Sequence, residues 1–200
     1  MSSNQIYVWD PLVRIFHWSL VLFFTIAYLT DDDFMQLHEL AGYIVLGLVG
    51  FRIVWGLIGP QYARFSNFVY SPSTIMGYIK SLSSSPKHYI GHNPAGGAMV
   101  IILLVMIAFT SWSGIEAQEA EGIEHASLKV SLISNAHADD DEDEHEGGEE
   151  DEFWEEIHEA AANLTVFFIV LHIVGVFASS IIHRENLVRA MVTGYKEKKE

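Results

Sequence analysis

"IHEAAANLTVFFIVLHIVGVFASSII", residues 157–182, is an apolar run interrupted by two imidazoles, His158 and His172. A helix needs about 20 apolar residues to cross a hydrocarbon core, so the run is long enough to span a membrane. Imidazole at that depth is costly, and an intramembrane histidine points to function before it points to packing. Hydrogen bonding between helices is the competing explanation.

Working outward, charge avoids three more segments of similar length, so the sequence predicts transmembrane helices over residues 11–30, 37–58, 94–115 and 157–182. The expected fold is an all-α four-helix transmembrane bundle in one membrane domain, residues 1–200. The first span carries Arg14 and His17 and lacks a small-residue cleavage pattern, so it reads as a retained helix and not a signal peptide. Arg14, Arg52, Arg64, Lys80, Lys87, Arg184, Arg189, Lys196, Lys198 and Lys199 all fall on one side of the spans, and only Lys129 on the other. Loops rich in lysine and arginine stay in the cytoplasm, which places both termini there. The cytoplasmic loop 60–93 contains "SPSTIMGYIKSL" (71–82), whose apolar spacing predicts a short helix on the membrane surface.

The formal charge of −15 belongs almost wholly to the opposite side, where "HADDDEDEHEGGEEDEFWEE" (137–156) ends an acidic loop, residues 116–156. Such blocks are commonly solvated and flexible. A docking face for a basic partner is the functional alternative, its encounters steered by the field and weakened by salt. No nucleic-acid partner is expected. There is no phosphate-binding G-x-x-x-x-G-K-[ST] loop and no nucleophile elbow, and no catalytic residue is assigned. Cysteine is absent, which excludes disulfides, iron–sulfur clusters, zinc–thiolate sites and covalent haem attachment.

His158 and His172 are 14 residues apart. At about 100° per residue they project within about 40° of one another, separated by about 21 Å along the axis. Topology supplies a partner at each depth. His17, entering from the cytoplasm, can meet His172, and His38, opening the second helix from outside, can meet His158. Two imidazoles at each of two levels is the axial ligation of two six-coordinate b-type haems enclosed by the bundle. A zinc-like ion would need its ligands in one cluster. His183 lies on the His172 face at the inner interface, where it reads as a snorkelling or quinone-proximal residue. His92 in "GHNP" sits at a loop-to-helix junction, structural or substrate-contacting. Asn93 is placed to cap the third span and Pro94 fits its first turn. His88 is expected in solvent. His125, His137 and His145 lie among carboxylates, where divalent-metal binding is conceivable. Gly42, Gly47, Gly50 and Gly56 let helices or a flat cofactor approach closely, unless they are simply the glycines common in membrane helices.

Taken together, "VWDPLVRIFHW", "LHELAGYIVLGLVGFRIVWGLIGP", "ARFSNFVYSP", "GHNPAGGAMV", "HEAAANLTVFFIVLHIVGV" and "HRENLVRAMVTGYK" resemble the bacterial cytochrome b561 family, including the b-type cytochrome subunits of nickel–iron hydrogenases. The resemblance covers nearly the whole chain outside the acidic loop. It implies a multi-pass protein of the bacterial inner membrane with two haem b groups, part of a respiratory chain. Electrons would pass between quinone and a periplasmic redox partner, such as a basic or multihaem c-type cytochrome or a hydrogenase-like subunit. The family's ligand pattern matches His17, His38, His158 and His172. It also implies a quinone pocket near the cytoplasmic-side pair, with Asn93, His92 and Arg14 in its vicinity. Some short members resemble superoxide:quinone oxidoreductases. That alternative, a self-contained quinone-linked enzyme acting on a small substrate, suits a carboxylate-rich mouth poorly because the mouth would repel an anion. A metal-binding or transport role for the histidine- and carboxylate-rich loop is a third reading.

Overall fold

The computed structural model describes residues 5–30, 34–82, 87–120 and 148–197. In chain order the elements are β1 (Gln5–Tyr7), α1 (Pro11–Leu29), α2 (Met35–Ile58), α3 (Phe65–Phe68), α4 (Pro72–Ser81), α5 (Pro94–Ala120), α6 (Gly148–Ile182), α7 (Leu187–Thr193) and β2 (Tyr195–Glu197). Four are long and apolar enough to cross a membrane: α1, α2, α5 and the Glu152–Ile182 part of α6.

Local chemistry fixes where these helices begin. Asp10 accepts hydrogen bonds from the backbone N–H groups of Leu12 and Val13 (3.0 and 3.1 Å), with Pro11 in the first turn, so α1 starts on a side-chain cap. The same carboxylate accepts from Trp55 Nε1 at 3.2 Å and ties that cap to the far end of α2. Asn93 caps α5 by accepting from the Gly96 N–H at 2.7 Å. At the other end α5 runs past Ile115 to Ala120, and α6 starts at Gly148, well ahead of Ile157. Glu, Gln and Ala are good helix formers, so a helix need not stop where its apolar stretch stops. The loop expected over 116–156 is therefore helical at both ends. Its middle, with His125, Lys129, His137 and His145, lies outside the described residues.

α1 packs on α2, α2 on α5, and α5 along α6. The core is Phe16 of α1, Val45 and Val49 of α2, and Leu104 and Ile107 of α5. Along α6, Phe167, Val170, Val174, Phe177 and Ile181 form an exposed stripe at helical spacing. It lies within about 40° of the direction opposite His172. An uncovered apolar stripe of this kind suits lipid contact.

Beyond the expected helices is a small antiparallel ribbon. β1 pairs with β2 in the register Gln5↔Glu197, Ile6↔Lys196 and Tyr7↔Tyr195, so both ends of the chain meet on one face of the bundle. Gly194 turns α7 into β2 at φ +88°, accepting at its carbonyl from the N–H groups of Val8 and Trp9. A Cβ there would lie 2.8 Å from the Trp9 carbonyl oxygen and 2.8 Å from the Tyr7 ring. Gly194→Ala is accordingly expected to cost about 2 kcal/mol. The check is a lowered thermal midpoint in detergent, with Gly77→Ala as control, because a Cβ at Gly77 meets nothing within 4 Å.

Candidate functional site

His158, Ala161, Thr165, His172 and Ser179 recur at helical spacing along one line of α6. The upper part of that line is seated on α5 through small and polar side chains. Thr165 is fully buried and its hydroxyl lies 2.9 Å from that of Thr110, which donates to the Met106 carbonyl. About two turns away, His158 Nδ1 lies 2.9 Å from the Thr110 carbonyl oxygen and 3.3 Å from Ser113 Oγ. A Cβ added at Gly114 would sit 2.8 Å from His158 Cε1, so a glycine is what lets the imidazole lie flat against α5.

His38 stands opposite. Its Nδ1 lies 2.9 Å from the Ala27 carbonyl oxygen, and its ring centroid is 5.9 Å from that of His158 with the planes at 85°. Carbonyl oxygens only accept, so Nδ1 carries the proton in both rings and Nε2 is the lone-pair nitrogen, the tautomer that metal-binding histidines adopt. Metal–nitrogen bonds of about 2 Å on either side of an iron would set the two centroids about 6 Å apart. The pair fits axial ligation of a haem.

The second pair lies toward the end where β1 meets β2. His17 and His172 are close enough for the charge of one to bear on the other, although α1 and α6 share no extended backbone contact among the described residues. His17 Nδ1 is buried and has no hydrogen-bond partner among the described residues. Gly42, one turn from His38, and Gly175, three residues after His172, share the histidine faces, and a Cβ at either would meet nothing within 4 Å. There is room beside both pairs for a flat group. Gly47 and Gly50 are equally open, whereas Gly56 packs against the Phe65 ring. Among the described residues no group of three or more His, Cys, Asp or Glu could hold a bare metal ion.

The expected quinone-vicinity residues gather at the same end with distinct roles. His92 is sandwiched between Trp9 and Phe68 (centroids 4.6 and 4.4 Å), and its Nδ1 finds no partner among the described residues. Asn93 combines its capping role with a 3.3 Å hydrogen bond from Nδ2 to Ser179 Oγ. Arg14 donates from Nη1 to the Val192 carbonyl at 2.6 Å, while its buried Nε has no partner among the described residues. Burial, reinforced by Arg52, Lys196 and His172, pushes His92 down to about 3. The unfolded chain therefore binds a proton between about 6.5 and about 3 that the folded chain refuses. His92 thus contributes full stability above 6.5 and loses it as the pH falls toward 3. His92→Phe should flatten the slope of thermal midpoint against pH in that window.

Several residues of this end have partners that the sequence did not reveal. Arg52 and Lys196, counted among the interfacial cations, are buried at 3% and 8% exposure. Arg52 donates to the Ala63 carbonyl at 2.9 Å beneath the Phe65 and Phe68 rings. His88, expected in water, is hydrogen-bonded to Glu185. His183 is bonded to the Tyr78 hydroxyl at 3.0 Å. The support given to His158 by Thr110, Ser113 and Gly114 was not singled out either. Small polar residues clustered inside a span, as in "TSWSG" (110–114), are the signal that could have found it.

The chain is similar over nearly all its length to proteins named probable Ni/Fe-hydrogenase B-type cytochrome subunit. It is 25% identical to that of Rhodobacter capsulatus over 98% of this chain and 83% of the relative. It is likewise 25% identical to that of Cupriavidus necator, over 100% of this chain and 90% of the relative, and to that of Azotobacter vinelandii, over 98% and 90%. No solved structure matches significantly. The sequence profile described as prokaryotic cytochrome b561 matches residues 8–194, which spans every helix described above. The chain belongs to the prokaryotic cytochrome b561 family.

Proposed function

We propose that the chain is a membrane electron-transfer protein that holds two haem b groups, one between His38 and His158 and one between His17 and His172. The observation that carries this reading is the outer pair, with rings 5.9 Å apart and each Nδ1 tied to a backbone carbonyl. Haem b supplies one-electron redox chemistry. The chain's own residues set its conditions. Two imidazoles per group would leave no open iron position, which would favour electron transfer over oxygen chemistry. The spacing of His158 and His172 on one rigid helix fixes the two levels about 21 Å apart. Arg14, His92 and Asn93 form the polar surroundings of a quinone site at the inner level, with the buried donors of Arg14 and His92 suited to carbonyl oxygens.

The membrane is the bacterial inner membrane. Both termini and loop 60–93 are cytoplasmic, and the acidic loop is periplasmic, consistent with the one-sided lysines and arginines and with the meeting of both chain ends. The names of the relatives support a hydrogenase-like subunit as redox partner, and the carboxylates of residues 137–156 suit a basic protein such as a c-type cytochrome. The test is stopped-flow reoxidation of the quinol-reduced protein by a basic c-type cytochrome. The rate is expected to fall steeply as ionic strength rises. A rate indifferent to salt would exclude docking on the acidic loop, and failure of quinol to reduce the protein would exclude the quinone site.

A further inference from the structure

The inner end carries a second titratable cluster that electron transfer between the two histidine pairs does not use. Glu185, in the turn between α6 and α7, is bonded through one oxygen to His88 Nε2 and through the other to Lys196 Nζ at 3.2 Å. The Glu185 and Lys196 side chains are each 7% exposed, and that of His88 is 31% exposed. Burial alone would raise the Glu185 carboxyl, but the hydrogen bonds and charges of His88 and Lys196 outweigh it and hold the group below its ordinary 4.5. Beside the pair opens a cavity of about 420 Å³ whose lining includes Arg184, Glu185, Asn186, Arg189, Lys196 and Glu197. Glu185 thus adjoins both a partly exposed imidazole and a cavity. On the far side stand Tyr78 and His183, hydrogen-bonded to each other, with the His183 ring 6.0 Å from that of His88. Inward, Lys196 Nζ donates to the Ile90 carbonyl at 3.0 Å, two residues before His92, and its charge bears on His92 itself.

A buried carboxylate bridging an accessible imidazole and a buried ammonium, at the edge of a site expected to form O–H bonds, has the arrangement of a proton relay. We propose that Glu185, loaded from cytoplasmic water through His88 and the cavity, delivers protons to the quinone site beside His92 and Asn93, with Lys196 as its positioning residue. This rests on the quinone reading above. When quinone is reduced, two electrons arrive from the haem-bearing interior, supplied by the reduced redox partner. Two protons come from water, and one O–H bond forms at each carbonyl oxygen. Glu185 takes each proton from His88 or from cavity water, passes it inward and returns to the carboxylate, so the cluster carries protons and no electrons. Quinol oxidation runs the same path outward.

The test uses the full haem-loaded chain in liposomes, with a short-chain quinone, a chemical reductant for the haems and a pH-indicating dye. Glu185→Gln is expected to slow quinol formation and the accompanying proton uptake about tenfold or more, with haem spectra and midpoint potentials unchanged. Formate or imidazole, small proton carriers, should restore much of the rate. His88→Phe, which leaves the Glu185–Lys196 pair intact, should show a smaller loss with the same rescue, and it decides the matter if Glu185→Gln fails to fold. Unchanged rates in the variants would overturn the relay while leaving the quinone reading standing. A slowing that small proton carriers do not relieve would reduce Glu185 to a structural residue. If the unsubstituted protein reduces no quinone although its haems are reduced, the quinone reading fails and takes the relay with it.

Discussion

Replacing His158 by alanine should remove one haem from the chain and leave the other in place. α6 carries one histidine of each pair, about 21 Å apart, and among the described residues the contacts of the two do not overlap. His158 rests on Thr110 and Ser113 and faces His38. His172 lies with His17 toward the opposite end, where its charge also reaches His92. The haem-to-chain ratio of purified His158→Ala should therefore fall from two to one. The remaining haem should still be reduced by quinol, while reoxidation by a periplasmic-type cytochrome should drop to background. His172→Ala should give the mirror result, with the surviving haem accessible to the protein partner and not to quinol. Loss of both haems from either variant would mean that the two levels are not independent. Retention of both would remove the substituted residue from the ligand set.

Gly114→Val should have nearly as large an effect without touching a ligand. The added Cβ would lie 2.8 Å from His158 Cε1 and 3.1 Å from Nδ1, closer than non-bonded atoms sit. The neighbour is an imidazole pinned by the Thr110 carbonyl on a helix in close contact with α5, so it cannot move aside without losing that bond. Overpacking of this kind costs about 1–3 kcal/mol, and here the strain falls on ring orientation. The expected outcome is weakened or lost outer haem with normal inner haem, read from redox difference spectra. Ser113→Ala removes the 3.3 Å contact with His158 and the 3.0 Å hydrogen bond from Ser113 Oγ to the Thr110 carbonyl, and should shift the outer midpoint potential slightly while keeping the haem. Equal outer-haem content in Gly114→Val and the unsubstituted chain would show that His158 is not held as described.

Much of this architecture was legible in the sequence because membrane helices announce themselves locally. Uncharged runs marked the spans, and helical periodicity put His158 and His172 on one face. Bringing His38 to His158 needed only alternation of span direction. The inner end was harder to read for a physical reason: its contacts join residues far apart in the chain. Ile6 pairs with Lys196, Asp10 meets Trp55, and His88 meets Glu185, none of which has a local periodicity to betray it. Arg52 and Lys196 look like ordinary interfacial cations until the loops fold over them. The five-residue "TSWSG" occupies a middle ground, since its small polar residues were visible but their partner was not.

The proposed electron path requires two haems per chain, each between two imidazoles. It is tested most directly by haem quantification against protein, combined with low-temperature electron paramagnetic resonance of the oxidised protein. Two haem b per chain, both low-spin, are expected. A ratio of one or less, or a high-spin signal showing an iron without its second imidazole, would contradict it.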